Sequence, residues 1–374
     1  MNYSYIFLAY FALIALSLFD NGRSASYPYI IEFFNVGTSK ASLIFTFGTV
    51  LGLCANLTAK YWLSFFGVVR SAFIALICII TGAFVIYFSA KENNFTLTLI
   101  GASFGGLGMG FLSVAMNILV SEGSSDKLRK KYLSGLHGIY GLSSLSAPLM
   151  INFVQDLGFK WFDFFLMIAV FGILVLIFNF RVDDLHKENF KDVSQAKNIS
   201  LKEKSIIGLF LGFYVGGEIL ISSRLSFYLV DYVGYSPELA NKFLSIFFAT
   251  LMAGRLSHAF FDIKYSSQKV IKYSLLLSVV FCALGLYVHP IFLCFLGLSM
   301  SSVFPLSIDW IKEKFPVDSH ILIAFSMTSI GLVLSTLHIS VGVISDYFSI
   351  RVAFFSYFIF ILIYSSLFSI ASKK

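Results

Sequence analysis

Long apolar stretches, separated by short polar ones, fill almost the whole of this 374-residue chain. A helix needs about 20 apolar residues to cross the hydrocarbon core of a bilayer, and twelve stretches come close to that length or exceed it. They are residues 5–33, 39–60, 69–89, 96–121, 132–154, 161–180, 205–231, 239–261, 270–288, 290–311, 320–344 and 352–371. The pattern predicts an all-α integral membrane protein with twelve transmembrane helices.

The one long polar stretch, residues 181–204, divides the predicted spans into two sets of six. We expect an N-terminal six-helix bundle over residues 1–180, a cytoplasmic linker over 181–204 and a C-terminal six-helix bundle over 205–374. The halves resemble tandem copies, because four positions in one half align at a constant offset with four in the other and three of the pairs are identical. The pairs are Asp156 with Asp346, Gly158 with Phe348, Phe164 with Phe354, and Phe165 with Phe355.

Composition excludes a soluble domain and several kinds of function. Hydrophobic residues make up 58% of the chain and charged residues 13%, whereas about a quarter of the residues in a soluble domain are charged. The net charge of +7 is scattered over short loops, which argues against a nucleic-acid partner. The sequence contains no phosphate-binding loop, metal motif or nucleophile elbow, so we predict neither an enzyme nor a bound cofactor or metal. The four cysteines lie in apolar segments and are predicted to be small buried hydrophobic residues.

The distribution of Lys and Arg predicts the orientation of the chain. Loops on the side of both termini carry 20 of the 27 basic residues, and loops on the opposite side carry five. By the positive-inside rule both termini are cytoplasmic. The first apolar segment is too long for a signal peptide and lacks a charged start, so we expect it to remain as the first helix.

The first predicted helix carries the polar residues Asp20, Asn21 and Arg23 near its middle. Charged side chains at bilayer depth normally face a bundle interior or a wet cavity and mark a substrate or ion path. Asp20 and Arg23 are three residues apart, so they can pair on one helix face. Gly22 and Pro28 are expected to loosen the helix at this depth, where transporters place interrupted helices. The alternative is a structural ion pair that only fixes this helix.

The seventh predicted helix contains Glu218 behind two glycines and Arg224 six residues further on. An isolated carboxyl group in hydrocarbon gains most by staying protonated, which is the behaviour of a proton carrier. Arg224 lies roughly 120° around the helix and about 9 Å along it from Glu218, so it is expected to reach a partner on another helix. The alternative for Glu218 is a hydrogen bond to a neighbouring helix with no role in coupling.

Three neutral groups on helices 4 and 5 are candidates for binding a polar ligand: Asn117, His137 and Tyr140. Hydrogen-bonding side chains and aromatic faces suit a polyhydroxyl molecule in a cavity without fixed charge. Each can instead make a hydrogen bond between helices, worth well under about 2 kcal/mol.

Twelve spans, two six-helix halves and a central loop resemble the major facilitator superfamily over nearly the whole chain. Its loop signature is degraded around Gly67 and around Gly254 and Arg255, and a closer version occurs at Gly342 to Arg351. Four further pieces resemble sugar–proton symporters of the fucose permease type. They are FLSVAMNILVSE around Asn117, LHGIYGLSSLSAP from Leu136, FYVGGEILISS from Phe213 and MSSVFPLSIDW from Met300.

The resemblance implies a secondary transporter that moves a small polar solute, a sugar, by alternating access with proton symport. It also implies that the first helices of the two halves face a central cavity, with Asp20 and Arg23 on one side and Glu218 and Arg224 on the other. The expected location is a bacterial inner membrane, and a monomer in the bilayer would suffice. The sequence leaves open the particular solute and whether protons or sodium ions are coupled. The alternatives are a drug or metabolite exporter that exchanges protons, and a membrane sensor that does not transport.

Overall fold

The computed structural model describes residues 1–180, 182, 199–260 and 265–373. Its regular elements are fifteen helices, and these described ranges contain no β-strand. The helices are α1 Tyr3–Phe34, α2 Thr38–Leu57, α3 Ala59–Phe66, α4 Val68–Lys91, α5 Phe95–Gly123, α6 Asp126–Asp156, α7 Asp163–Asn179, α8 Leu201–Asp231, α9 Pro237–Phe260, α10 Ser267–Tyr287, α11 Ile291–Met300, α12 Val303–Lys314, α13 Ser319–Tyr347, α14 Ile350–Phe354 and α15 Ser356–Lys373.

Each of the twelve predicted spans coincides with one or two of these helices over most of its described residues. Ten stretches of the described chain are long and apolar enough to cross a membrane, counting α11 with α12 and α14 with α15 as one stretch each. The other two are α7, which is apolar but has 17 residues, and α6, which has 31 residues and opens with the charged sequence DKLRKK. The predicted fold class, an all-α membrane protein, is confirmed.

The chain divides into two compact units. The first unit comprises residues 1–36 and 43–191, and the second comprises residues 37–42 and 192–374. Most of the predicted linker, residues 181–204, lies outside the described residues. Helix α8 begins at Leu201, within that stretch, because Ser200 and Glu203 form a capping box at its N-terminus.

Glycine allows close packing between helices of the first unit. A Cβ atom added at Gly82 would lie 2.6 Å from the carbonyl oxygen of Gly101, so α4 and α5 touch backbone to backbone. A Cβ added at Gly106 would lie 2.1 Å from the carbonyl oxygen of Gly48 on α2. Small residues at such positions let membrane helices approach closely.

Helix α1 is continuous over 32 residues, so Gly22 and Pro28 do not divide it. Proline removes one backbone donor from a helix, yet Pro28 lies buried inside α1 and the helix continues to Phe34. Gly22 serves packing instead, because a Cβ there would lie 2.3 Å from a ring carbon of Phe164 on α7. Small size at this position lets α7 approach α1.

A real break occurs in the second unit, between α11 and α12. Helix α11 ends at Met300 and α12 begins at Val303, two residues before Pro305. Proline is tolerated in the first turn of a helix, where the backbone N–H groups have no helical acceptor. The tenth predicted span is therefore two helices joined at Ser301 and Ser302.

We expect Gly106→Ala to lower the melting temperature of the purified protein, because the added methyl group meets the Gly48 backbone, which has little freedom to move. Overpacking of this kind costs roughly 1–3 kcal/mol. The matched control is Gly138→Ala on α6, where an added Cβ meets nothing within 4 Å. Thermal unfolding in detergent should show a decrease for the first variant and no decrease for the second. Equal melting temperatures would contradict the backbone contact.

Candidate functional site

An ion pair lies in the middle of α1, as the spacing of Asp20 and Arg23 predicts. Arg23 Nη2 is 2.5 Å from Asp20 Oδ1. The Arg23 side chain is 4% exposed, whereas that of Asp20 is 25% exposed. The guanidinium is thus enclosed by protein, and the carboxylate is the accessible member of the pair.

The other partners of Arg23 come from three helices. Its Nη1 donates to the carbonyl oxygen of Ile44 on α2 at 3.2 Å, and its Nη2 lies 3.5 Å from the sulfur of Met109 on α5. The guanidinium carbon is also 5.2 Å from the ring centre of Phe19 and 5.6 Å from that of Phe45. Aromatic rings attract a cation at these distances. Arg23 is therefore held by a carboxylate, a carbonyl group, a thioether and two rings.

Tyr140 is the second group that reaches Asp20. Its hydroxyl on α6 lies 3.4 Å from Asp20 Oδ2, a long hydrogen bond that leaves room for adjustment. Asp20 thus contacts Arg23 through one carboxylate oxygen and Tyr140 through the other. The structure brings together three of the residues predicted from the sequence.

The remaining candidates in the first unit serve other contacts. Asn21 donates to the carbonyl oxygen of Ser17 at 2.9 Å and to Ser144 Oγ at 3.0 Å, which joins α1 to α6. Asn117 donates to the carbonyl oxygen of Ser113, one turn earlier on its own helix, at 2.9 Å. His137 is exposed on α6. Asn21 therefore links two helices, and Asn117 bonds within its own helix.

In the second unit, Glu218 pairs with Arg255 on α9. Arg255 Nη2 is 2.9 Å from Glu218 Oε1, and the two side chains are 39% and 14% exposed, respectively. The hydroxyl of the fully buried Tyr214 is 3.2 Å from Glu218 Oε2. Glu218 therefore contacts Arg255 and Tyr214, two residues that the sequence does not predict as its partners.

Arg224 contacts another helix, as its position six residues from Glu218 predicts. It is 1% exposed, and its Nη2 donates to Ser42 Oγ at 3.1 Å. Ser42 lies on the first turns of α2, the part of that helix that belongs to the second unit. The Nη1 atom of Arg224 also donates to the carbonyl oxygen of Ser223 at 3.3 Å. Within the described residues, no group of three or more His, Cys, Asp and Glu side chains is placed to hold a metal ion.

Comparison with known proteins identifies the family. Residues 7–320 match the sequence model of the Major Facilitator Superfamily, which is most of the chain. The protein belongs to this superfamily. Proteins of this superfamily are multi-pass membrane transporters and are not enzymes, as the sequence predicts.

Curated relatives of this superfamily member have different names. Bypass of stop codon protein 6 of Saccharomyces cerevisiae is 24% identical over 310 residues, which cover 73% of this chain and 61% of the yeast protein. The multidrug efflux pump SdrM of Staphylococcus aureus is 26% identical over 299 residues, 78% of this chain and 63% of the pump. The glucose/mannose transporter GlcP of Bacillus subtilis is 23% identical over 300 residues, 75% of this chain and 73% of GlcP. The chain thus spans a little over three fifths of the length of the first two.

Solved structures confirm the fold. The Escherichia coli fucose:proton symporter aligns with a TM-score of 0.63 at 18% identity, covering 98% of this chain and 97% of the symporter. A bacterial homologue of the lysosomal transporter Spinster aligns with a TM-score of 0.74 at 14% identity, covering 99% of this chain and 97% of the homologue. At these identities the likeness concerns the arrangement of helices.

The stretch from Gly342 to Arg351, which resembles the loop signature of the superfamily, stabilises two helix ends in the second unit. Asp346 accepts bonds from the backbone N–H groups of Thr38 and Ser39 at 2.7 and 2.8 Å, and from both of their hydroxyl groups. Arg351 donates to the carbonyl oxygen of Leu286 near the end of α10 at 3.1 Å. An acid near a helix N-terminus and a cation near a helix C-terminus both interact favourably with the helix dipole.

Sequence reasoning missed Arg255, Tyr214 and Met109 as parts of these contacts. Arg255 lies inside the predicted span 239–261 and on α9, but its contact with Glu218 joins two helices and has no local signal in the sequence. Tyr214 precedes Glu218 by four residues, a spacing that puts the two side chains on one helix face. That spacing was the available signal. Met109 gave no signal, because a methionine in an apolar helix has the same pattern as lipid-facing or core residues.

We predict a strong coupling between Asp20 and Arg23 in a double-mutant cycle. Asp20→Ala leaves a buried guanidinium without its carboxylate, which costs 3–5 kcal/mol in a fully buried pair and about 1–3 kcal/mol here, since Asp20 is partly exposed. Asp20→Ala combined with Arg23→Met should be more stable than Asp20→Ala alone. The measurement is denaturant unfolding of the detergent-solubilised variants. Additive effects of the two substitutions would exclude a strong pair.

Asp346→Ala should lower stability by about 0.5–2 kcal/mol, the usual cost of losing a helix cap. Asp309→Ala on α12 is the control, because Asp309 is an exposed acid 3.8 Å from Lys312 and such pairs contribute little. The measurement is the melting temperature of each variant in the same detergent. A decrease for Asp309→Ala as large as that for Asp346→Ala would show that the cap adds nothing.

Proposed function

We propose that this protein is a secondary transporter that moves a small polar solute, a sugar, across the membrane together with protons. The observation that carries the proposal is the accessible carboxylate of Asp20, held between the buried Arg23 and the hydroxyl of Tyr140. A carboxylate with an arginine and a tyrosine can exchange protons with water and hydrogen-bond a solute. Charged groups at this depth of a membrane helix mark substrate and ion paths.

The chemistry around Asp20 suits a polyhydroxyl solute. Arg23 and Tyr140 donate hydrogen bonds, Asp20 accepts them, and the rings of Phe19 and Phe45 lie against the guanidinium. Sugar binding needs such donors and acceptors beside aromatic faces. The name of the relative GlcP, a glucose/mannose transporter, also supports a sugar.

Proton coupling is assigned to Asp20 and Glu218, the two acids that each pair with an arginine in their own unit. Protonation of either acid weakens its ion pair and frees a guanidinium for another partner. In each pair, the binding of a proton and the binding of a solute are thereby linked through one arginine, as alternating access with symport requires. Sodium in place of the proton is the alternative coupling ion.

The eight residues predicted from the sequence keep different roles in this proposal. Asp20, Arg23 and Tyr140 bind the solute and couple the proton, and Glu218 is a second proton site. Asn21 and Arg224 position helices through Ser144 and Ser42. Asn117 and His137 are assigned to solute contacts made during the transport cycle.

The second candidate function is proton-coupled export of a drug or metabolite. The relative SdrM carries the name multidrug efflux pump, and its identity of 26% is similar to that of GlcP. Export and import by one fold differ in the direction of proton movement relative to the solute. Direction is therefore the property to measure.

The location that we propose is a bacterial inner membrane, with both termini in the cytoplasm. The excess of Lys and Arg in the loops on the side of the termini supports this orientation. A monomer is proposed to be sufficient, since both acid–arginine pairs form within one chain.

We expect the purified protein in liposomes to acidify the interior when sugars are added outside without an imposed gradient. Internal pH is read with a trapped dye while pooled monosaccharides, and then lipophilic cations, are supplied. Asp20→Asn should abolish the acidification, because the neutral amide cannot carry the proton. Asp309→Asn, a change of the same chemistry at an exposed acid, should leave it intact.

Each alternative gives a different signal in this assay. Alkalinisation with lipophilic cations would contradict the symporter assignment and support an exporter. Sugar uptake that requires sodium and leaves internal pH unchanged would show that sodium, and not the proton, is the coupled ion. Silence in every condition would overturn transport of these solutes and favour a sensor.

A further inference from the structure

A surface cavity of the second unit lies between the start of α10 and the end of α12. Its volume is about 360 Å³, and sites for small molecules have volumes of about 300–1,000 Å³. The residues that line it all carry polar groups: Ser266, Ser267, Gln268, Trp310, Glu313 and Lys314. None of them takes part in the contacts of Asp20 or Glu218, so a ligand in this cavity is independent of the proposed function.

Lys314 places a fixed cation at the cavity. Its Nζ donates to the carbonyl oxygens of Ala371 and Ser372, near the end of α15, at 2.8 and 3.0 Å. The same atom lies 5.3 Å from the ring centre of Trp310, a distance at which an aromatic ring attracts a cation. An ammonium group has three N–H bonds. Two of them are used by the carbonyl groups, so the third is left for a ligand.

Trp310 places an N–H donor at the cavity. It lines the cavity although only 3% of it is exposed. Its ring packs against Phe210, Phe315 and Phe368, none of which can accept a hydrogen bond from the indole. Within the described residues this N–H has no acceptor, and it is not fully buried. Since a buried indole usually finds a partner, a ligand in the cavity is the natural acceptor.

The start of α10 adds backbone donors to the same cavity. Ser266 precedes the helix, and its side chain makes no capping bond. The N–H groups of Ser267 and Gln268 have no acceptor within the helix, because the first such bond is donated by Lys269. N–H groups at the positive end of a helix dipole attract phosphate groups. The cavity thus combines an ammonium group, an indole N–H and a helix N-terminus.

A stripe of exposed apolar residues on α10 begins beside the cavity. Tyr273, Leu276 and Val280 are 67%, 60% and 44% exposed, and their spacing of three and four residues puts them on one helix face. Ser266 and Lys269 precede Tyr273 by seven and four residues, so they lie on the same face. An exposed apolar face of a membrane helix is covered by lipid chains. A ligand with a polar head in the cavity can therefore have apolar chains along α10.

We propose that this cavity binds the headgroup of an anionic phospholipid, such as phosphatidylglycerol. Its phosphate accepts hydrogen bonds from Lys314, Trp310 and the start of α10. Lys314, Lys269 and Lys272 carry three positive charges against the one negative charge of Glu313, so the site favours a ligand with net negative charge. Basic pockets between membrane helices bind acidic headgroups for this reason. The hydroxyl groups of a glycerol headgroup can also donate to Glu313.

Thermal unfolding of the purified full-length protein in a non-ionic detergent, titrated with dioleoyl phosphatidylglycerol, tests this site. A ligand that binds only the folded protein raises its melting temperature. Lys314→Gln removes the cation of the cavity, so the lipid concentration that gives half the shift should rise about ten-fold, the loss of one charge-assisted hydrogen bond. The matched control is Lys312→Gln, because Lys312 is exposed on the same helix, pairs with Asp309 and does not line the cavity. Its half-shift concentration should change by less than about two-fold.

Three outcomes would overturn the proposal. An equal shift with dioleoyl phosphatidylcholine, which has the same chains and no net charge, would exclude a site for anionic lipid. Equal weakening by Lys312→Gln and Lys314→Gln would show general attraction between the lipid and basic residues. A full shift with glycerol phosphate alone would assign the cavity to a soluble phosphate compound in place of a lipid.

Trp310→Phe supplies the test should Lys314→Gln fail to fold, because it keeps an aromatic ring and removes the N–H. The half-shift concentration should rise about two- to ten-fold, the contribution of one hydrogen bond. Trp62→Phe is the control, since the N–H of Trp62 donates to the carbonyl oxygen of Ala55 in the first unit. No change with Trp310→Phe, or the same change with Trp62→Phe, would contradict the site. Neither variant requires transport, so failure of the proposed function leaves this test intact.

Discussion

The buried guanidinium group of Arg23 constrains how the helices of the first unit pack against one another. Arg23 is 3% exposed in the middle of α1, where an unpaired charge would cost several kcal/mol. Its partners lie on α1, α2 and α5, so these helices must meet at the right depth and rotation for the charge to be tolerated. Hydrophobic packing alone would allow several rotations of each helix, because lipid is as apolar as the helix surfaces. The charge selects one of them.

The second unit solves the same problem with different residues, although the two halves resemble tandem copies. Its most buried arginine, Arg224, contacts Ser42 and a carbonyl group, while its acid, Glu218, contacts an arginine from α9. The Asp20–Arg23 pair therefore lies within one helix, and the Glu218–Arg255 pair joins two helices. A change at Glu218 can move α9 relative to α8, whereas a change at Asp20 acts first on the rotamer of Arg23.

Apolar length predicted the helices, ten stretches of which are long and apolar enough to cross a membrane, and spacing predicted the pairing of Asp20 with Arg23, because both depend on local geometry. The proline residues show where local reasoning ends. Pro28 lies within a continuous helix and Pro305 follows a break, although both lie in apolar stretches of similar composition. The difference comes from neighbours, since Tyr214 from α8 satisfies the carbonyl of Met300 at the break. A sequence pattern does not contain that contact, nor the one between Glu218 and Arg255, which are 37 positions apart.

The contact between α4 and α5 has a consequence for how motion in the first unit can be observed. At Gly82 and Gly101 the two backbones leave no space for even a methyl group. A helix pair with so little free volume behaves as a single rod, because sliding or rotation would force the backbones to overlap. Spectroscopic labels on α4 and α5 would keep a fixed separation while labels elsewhere move. The distance between labels on α4 and α5 can therefore serve as a fixed reference when displacements of the other helices of that unit are measured.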